Sequence, residues 1–73
     1  MKIILSNGNE ASTVRELYRQ WSANRTLTFS NGKEKISFGQ AIAQLGGKAI
    51  ADGGGLYELY DEHGLYVGQV WGI

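Results

Sequence analysis

The strongest structural signal in this sequence is an amphipathic helix that carries its own start signal. Thr13 is followed three residues later by Glu16, a capping-box pattern in which a hydroxyl and a carboxylate satisfy backbone amides of the first helical turn. The apolar residues of this segment recur at helical spacing, so that they share one face: Val14, Leu17, Tyr18 and Trp21. We therefore predict a helix over residues 13–23, with Asn24 at its C-terminal end.

A second, shorter helix is predicted by the same two features. Ser37 and Gln40 repeat the capping-box pattern. A second apolar stripe follows helical spacing: Phe38, Ala41, Ile42 and Leu45. Gly46 and Gly47 are residues of the kind that commonly end a helix. We predict a helix over residues 38–45, and two turns of helix need packing against the rest of the domain to be stable.

The first half of the chain also contains strand signals. The apolar run within residues 2–5 stops at a cluster of turn-forming residues, as a buried strand would. Asn31 and Gly32 separate two extended segments, and this pair is the strongest short-range hairpin signal because both turn residues need positive φ. A two-residue loop would place these residues opposite each other: Leu27 and Ile36, and Phe29 and Glu34.

The second half of the chain predicts a strand and a terminal hairpin. Residues 48–52 fit a short strand, although they could instead continue the second helix, and the glycines at 53–55 would form a flexible joint. Residues 61–64 suit a type I turn with Gly64 in the left-handed conformation, which is the usual three-residue loop with a G1 bulge. This turn predicts a hairpin over residues 56–73 with three opposed pairs: Tyr60 and Tyr66, Leu59 and Val67, and Leu56 and Val70.

Together these elements predict one small α+β domain, residues 1–73. A mainly antiparallel sheet would carry the longer and the shorter helix on one face and end in the C-terminal hairpin. The element order resembles a contracted ferredoxin-like layout with an added hairpin, and this topological resemblance implies no function. A chain of 73 residues without cysteine buries only about 60% of the surface that it exposes when unfolded. Such domains often rely on an oligomer or a partner.

Charge and the N-terminal residues limit the classes of protein. Seven Lys and Arg residues balance seven Asp and Glu residues, which argues against a strongly cationic nucleic-acid-binding protein. The apolar run near the N-terminus is too short for a signal peptide or a membrane span. With no cysteine available for disulfides, the sequence is typical of a cytoplasmic protein.

No motif for catalysis or for a cofactor is present in the sequence. Residues 46–55 are rich in glycine but lack the spacing and the Ser or Thr of a phosphate-binding loop, and they lack the dinucleotide pattern as well. His63 lies beside Asp61 and Glu62, but two adjacent carboxylates and one imidazole on a turn make a poor metal site. No nucleophile has a base and an orienting group at a suitable spacing. We expect no enzyme activity, no cofactor and no bound metal.

The aromatic residues of the terminal hairpin raise the main functional question. Alternation along the predicted strands divides the side chains between two faces. One face is apolar enough to be core: Tyr57, Leu59, Leu65, Val67, Trp71 and Ile73. The other face carries four apolar or aromatic side chains around Glu58: Leu56, Tyr60, Tyr66 and Val70. A helix could cover this second face, which would leave no site, or the face could stay open as a contact surface.

We adopt the open face as the hypothesis, because the two helices already have the first face to cover. It predicts a non-enzymatic protein–protein interaction module, a small intracellular inhibitor or adaptor of a larger complex, of the type that phages and mobile elements encode. The partner-binding residues would be Leu56, Tyr60, Tyr66 and Val70. One alternative is a weak nucleic-acid-binding protein that uses a local basic patch: Arg15, Arg19, Lys33 and Lys35. Another is a structural subunit that forms homo-oligomers through the same tyrosine-bearing face.

Overall fold

Two helices and seven strands form the chain, and the computed structural model describes all of its residues, Met1–Ile73. In chain order the elements are β1 Ile3–Leu5, β2 Glu10–Ala11, α1 Val14–Ala23, β3 Phe29–Ser30, β4 Lys35–Ile36, α2 Phe38–Gln44, β5 Lys48–Ala51, β6 Leu56–Tyr60 and β7 Tyr66–Trp71. They confirm the predicted α+β class, both helices, the strand at β5 and the C-terminal hairpin. Neither helix has the length and the apolar character needed to cross a membrane.

All strands pair antiparallel, but they are divided between two sheets. The first sheet has the order β2-β1-β3-β4 and the second the order β5-β6-β7. The second sheet is built from local hairpins, and its strands pair only with one another. A ferredoxin-like layout needs a single sheet, so that comparison does not hold. The helices join the two sheets, since α1 contacts β2 and β7 while α2 contacts β3 and β5.

Both helices begin at the predicted caps. In α1 the Thr13 hydroxyl accepts a hydrogen bond from the Glu16 amide at 3.1 Å, while the Glu16 carboxylate accepts hydrogen bonds from the hydroxyls of Ser12 and Thr13. Only half of this capping box is therefore present. In α2 both halves form: the Gln40 amide donates to the Ser37 hydroxyl at 3.1 Å, and the Ser37 amide donates to the Gln40 side chain at 2.8 Å. The capping residues thus define the start of each helix.

The β3–β4 hairpin is present, but its loop is longer than predicted. Four residues separate the two strands. The side-chain oxygen of Asn31 accepts hydrogen bonds from the amides of Lys33 and Glu34, both at 2.9 Å, and so closes the loop from within. Because the loop is longer, Phe29 pairs with Ile36. The two pairings that a two-residue loop predicts are therefore wrong.

The terminal hairpin has the predicted turn and, beyond the G1 bulge predicted at Gly64, a bulge between its strands that was not predicted. Gly64 has a φ of +79°, and Tyr60 pairs with Tyr66, as expected. A bulge next to Tyr60 then shifts the register by one residue: Leu59 pairs with Gly68, Tyr57 with Val70, and Leu56 with Trp71. The other two predicted pairs are therefore wrong. A slip of one residue moves side chains to the opposite face, so Val70 is buried at 1% exposure while Trp71 is 64% exposed.

The hydrophobic core contains fourteen buried apolar residues from both sheets and both helices: Ile3, Leu5, Ala11, Val14, Leu17, Leu27, Phe29, Ile36, Phe38, Ala41, Ile42, Leu45, Leu59 and Val70. Leu59 and Val70 are the contribution of the second sheet. Leu65, which the sequence predicted in the core, lies at the hairpin tip and is 59% exposed. The second sheet therefore packs one face on the core and leaves the other face outside.

Candidate interaction surface

The candidate site is the outer face of the β5–β6–β7 sheet, directed away from the core. The register pairs place eight side chains on it: Lys48, Ile50, Leu56, Glu58, Tyr60, Tyr66, Gln69 and Trp71. We call this set the aromatic face. Of the side chains between them along the strands, Leu59 and Val70 are buried in the core, and Ala49, Tyr57 and Val67 are partly buried against it. Alternation along β5 and β6, together with the bulge that breaks alternation on β7, therefore determines which residues belong to the aromatic face.

The aromatic face is open. Trp71 is 64% exposed, Ile50 51% and Tyr66 50%, while Leu56 and Tyr60 are half-buried. No helix covers the face, so the interpretation of the sequence that left no site does not apply. Single exposed apolar side chains are common on proteins, whereas a group of them on one sheet face is typical of a contact surface.

A hydrogen-bond network centred on Glu58 organises the aromatic face. The Tyr66 hydroxyl donates to Glu58 Oε1 at 2.8 Å, and the Gln69 side-chain amide donates to Glu58 Oε2 at 3.0 Å. The Tyr66 ring also packs edge-on against Tyr60, with ring centroids 5.6 Å apart and planes at 71°, a favoured aromatic geometry. Tyr66 is thus held by two neighbours, so little of its rotamer freedom remains to be lost when a partner binds.

The same network sets the charge of the face. The hydrogen bond from Tyr66 is the largest cause that lowers the pKa of Glu58, and the bond from Gln69 is the second. The same bond to Glu58 raises the pKa of Tyr66 to about 12. Hydrogen bonding to Glu58, together with its negative charge, raises the pKa of Asp52. The two ion pairs of the chain lie elsewhere and involve neither of these carboxylates. Glu58 at the centre of the aromatic face is therefore negatively charged and has no ion-pair partner within the chain.

Three of the four residues predicted to bind a partner lie on the aromatic face: Leu56, Tyr60 and Tyr66. Val70 does not, because its burial in the core removes it from any contact surface. Trp71 and Ile50 belong to the face but are not among the predicted residues. Gly68 is the signal that could have revealed Trp71, since a glycine within a strand often marks a bulge or a close approach. A Cβ atom at Gly68 would lie 2.6 Å from the Tyr18 hydroxyl oxygen.

The four basic residues of the nucleic-acid alternative line two different depressions. Arg15 and Arg19 border one along α1, and Lys33 and Lys35 border the other beside the β3–β4 loop. Arg15 is also engaged within the chain, because its Nε donates to Asp61 at 3.1 Å and its Nη2 donates to a backbone carbonyl of β7 at 3.0 Å. The two pairs do not form one depression, and nucleic-acid binding stays a prediction.

Asp61 organises the turn that contains His63. Asp61 is 5% exposed, and its Oδ1 accepts hydrogen bonds from the amides of His63 and Leu65, both at 2.9 Å. The hydrogen bond from the Leu65 amide lowers the pKa of Asp61 the most. The bond from the His63 amide and the neighbouring Arg15 lower it further. No group of three or more His, Cys, Asp or Glu side chains is arranged to hold a metal ion. Asp61 therefore closes the turn and ties it to α1.

No family model matches the chain, and neither a curated protein nor a solved structure is significantly similar to it.

Proposed function

We propose that the chain is a non-enzymatic protein–protein interaction module that binds a protein partner through the aromatic face. The observation that supports this proposal is the exposure of Trp71, Ile50 and Tyr66, each at least half accessible, on one face of a three-stranded sheet. Tryptophan and tyrosine are enriched among the residues that dominate binding energy at protein interfaces. A sheet face suits a protein surface better than a small molecule, which needs a concave pocket.

The charge of the aromatic face narrows the chemistry of the partner. Glu58 receives two hydrogen bonds from neutral donors, and no cation of the chain pairs with it. A partner that covers this carboxylate has to compensate its charge, because a buried charge without a partner is costly. We therefore propose a partner whose contact surface combines apolar groups with an Arg or Lys side chain directed at Glu58.

In the cell, the proposed role is a small inhibitor or adaptor that occupies the surface of a larger intracellular complex. The mass of 8.0 kDa and one organised contact surface support such a role. Accessory proteins of phages and mobile elements, including inhibitors of host defence complexes, are often small proteins of this kind. A protein that acts only by covering a partner needs no catalytic group of its own.

The test compares the host proteins captured by four immobilised proteins: the wild type, Trp71→Ala, the double variant Tyr60→Ala/Tyr66→Ala and the control Leu65→Ala. Leu65 is 59% exposed but lies at the hairpin tip, outside the aromatic face. A specific partner should bind the wild type and the control. Its affinity for Trp71→Ala should fall by about 30-fold or more, since a tryptophan hot spot contributes about 2 kcal/mol or more.

Circular dichroism and thermal unfolding of each variant separate a loss of binding from a loss of the fold. If the folded variants of the aromatic face bind the same partner with unchanged affinity, the proposed surface is wrong. An affinity for nucleic acid that falls steeply with salt and depends on Lys33 and Lys35 would instead support the nucleic-acid alternative.

A further inference from the structure

The two edges of the β5–β6–β7 sheet differ. At the β7 edge, side chains of α1 occupy backbone carbonyls: Arg15 Nη2 donates to the Tyr66 carbonyl and the Tyr18 hydroxyl donates to the Gln69 carbonyl, both at 3.0 Å. β5 forms a ladder with β6 alone. An edge strand with free amides and carbonyls is a template for another strand. β5 is therefore the edge of this sheet at which a strand can be added.

The β5–β6 ladder determines which backbone groups of β5 are free. The Asp52 amide donates to the first carbonyl of β6 at 2.8 Å, across a tight turn made by the three glycines that the sequence predicted as a flexible joint. In an antiparallel pair, the backbone groups of successive residues point alternately toward and away from the partner strand. Asp52, Ile50 and Lys48 therefore direct their amides and carbonyls toward β6, and Ala49 and Ala51 direct theirs outward.

The residues of β5 are complementary to a second copy of the same strand. When two β5 strands pair antiparallel about Ile50, Ala49 of each copy lies opposite Ala51 of the other, and the outward groups form four main-chain hydrogen bonds. The same register places Lys48 of each copy opposite Asp52 of the other. The two Ile50 side chains meet between these charged pairs on the outer face of the sheet, where opposite charges and apolar pairs across strands are stabilising.

We propose that the chain forms a two-fold symmetric homodimer by pairing its β5 edges, which joins two three-stranded sheets into one sheet of six strands. Neither Lys48 nor Asp52 has an ion-pair partner within the chain. In the dimer, Lys48 of the second copy supplies Asp52 with the cation that it lacks within the chain, beside Glu58, whose hydrogen bond and like charge raise the pKa of Asp52. Equal numbers of positive and negative residues leave no net charge to hold the copies apart.

This dimer goes beyond the proposed function, because it forms by backbone pairing at the β5 edge, whereas partner binding centres on Trp71 and Tyr66 of β7. Ile50 and Lys48 of the aromatic face border both contacts. Pairing the β5 edges places two aromatic faces side by side on one continuous sheet. A partner with two equivalent sites would then bind with avidity. One added strand pair is small compared with the roughly 1,600 Å² buried in a standard interface, so we expect a dissociation constant on the order of 100 µM.

Sedimentation velocity and light scattering of the full chain, from about 10 µM to about 1 mM, test the dimer. The mass of the wild type should rise from 8.0 kDa toward twice that value. Ala51→Pro should abolish the rise, because it removes an outward amide that β6 does not use, and proline is tolerated at edge strands. Trp71→Ala is the matched control, since it changes the aromatic face far from the β5 edge and should leave the dimer unchanged.

A charge-reversal cycle tests the register. Lys48→Asp and Asp52→Lys should each weaken association about tenfold, since each places like charges opposite each other twice per dimer. The double variant Lys48→Asp/Asp52→Lys should recover the wild-type constant within about threefold. A double variant as weak as the single variants overturns this register.

The dimer itself is overturned by a wild type that stays monomeric at about 1 mM, or by association that survives Ala51→Pro in a folded variant. It is also overturned by a dimer that Trp71→Ala dissolves, which would place the self-contact on the aromatic face. The two proposals can fail separately. If Trp71→Ala loses partner binding but keeps the dimer, both proposals are supported. If Trp71→Ala binds the partner unchanged, only the proposed function is refuted.

Discussion

Two alanine substitutions at neighbouring positions of β7, Val70→Ala and Trp71→Ala, test the bulge that shapes the aromatic face. Val70 is 1% exposed. Val70→Ala removes two buried methyl groups, and at about 0.8 kcal/mol each the lost transfer free energy is about 1.6 kcal/mol. A residual cavity of about 40 Å³ would add about 1 kcal/mol at roughly 24 cal/mol per Å³. We therefore expect the free energy of unfolding to fall by about 2–3 kcal/mol.

Trp71→Ala should lower the free energy of unfolding much less than Val70→Ala does, although it removes a larger side chain. Trp71 is already 64% exposed, so its truncation removes little buried surface, and we expect a change within about 1 kcal/mol. Urea denaturation followed by circular dichroism gives both values, provided that the dependence on denaturant is the same in each variant. In thermal unfolding, a domain of this size shifts by about 4–8 °C per kcal/mol. Val70→Ala should then melt about 10–20 °C below the wild type.

The control for these substitutions is Ile50→Ala, which truncates an apolar side chain that is 51% exposed on the same sheet. The decrease in the free energy of unfolding caused by Ile50→Ala shows how much the loss of a surface contact costs without a change in the core. The reasoning is refuted when Trp71→Ala destabilises the protein more than Val70→Ala. That order would require Trp71 to lie in the core and Val70 outside, as in a hairpin without the bulge.

Four further substitutions, each at a single position, give three predictions. Gly47→Ala should lower the free energy of unfolding by about 1–3 kcal/mol, because its Cβ would lie 2.6 Å from a backbone oxygen. Gly39→Ala in α2 should raise the free energy of unfolding by up to about 1 kcal/mol, because the nearest atom to its Cβ would be 3.7 Å away. The folded-state pKa of Asp61 is lowered, so its stabilisation is present above the unfolded pKa and is lost as the pH falls through the folded value. Asp61→Asn should therefore flatten the acid limb of the stability curve, and an unchanged slope would contradict this. Glu58→Gln should move the pKa of Tyr66 from about 12 toward about 10, which a tyrosinate absorbance titration would detect.

The helices and turns were predictable because the residues that decide them are close together in the chain. Thr13 and Ser37 cap helices whose apolar stripes follow within the next two turns, and both helices begin where these residues predict. The turn at Gly64 was predictable for the same reason. The β3–β4 loop shows the limit of local signals, because the Asn31 side chain closes a longer loop by hydrogen bonds that the Asn-Gly pattern does not specify.

Alternation alone could not predict the register of β6 with β7, because contacts distant in the sequence accompany the bulge, and Gly68 is the one local residue that hints at it. Tyr18 of α1 lies against Gly68, and its hydroxyl donates to the Gln69 carbonyl, 51 residues away in the chain. No local periodicity connects these positions. The bulge moves Val70 into the core and Trp71 to the surface. Strict alternation therefore assigned both residues to the wrong face, although it placed Leu56, Tyr60 and Tyr66 correctly.

The contacts of α1 with β7 determine which surfaces of the second sheet remain available. Tyr18 packs against Gly68 beside the bulge that turns Trp71 outward, and Arg15 donates to the Tyr66 carbonyl at the β7 edge. Because α1 side chains bind the β7 edge, the sheet keeps one open edge at β5 and one open face. The edge and the face share Ile50 and Lys48 of β5, whereas Trp71 and Tyr66 lie on β7, so a dimer formed through β5 leaves Trp71 and Tyr66 free. One assembly can therefore pair two copies of the chain and still present both aromatic faces to a partner.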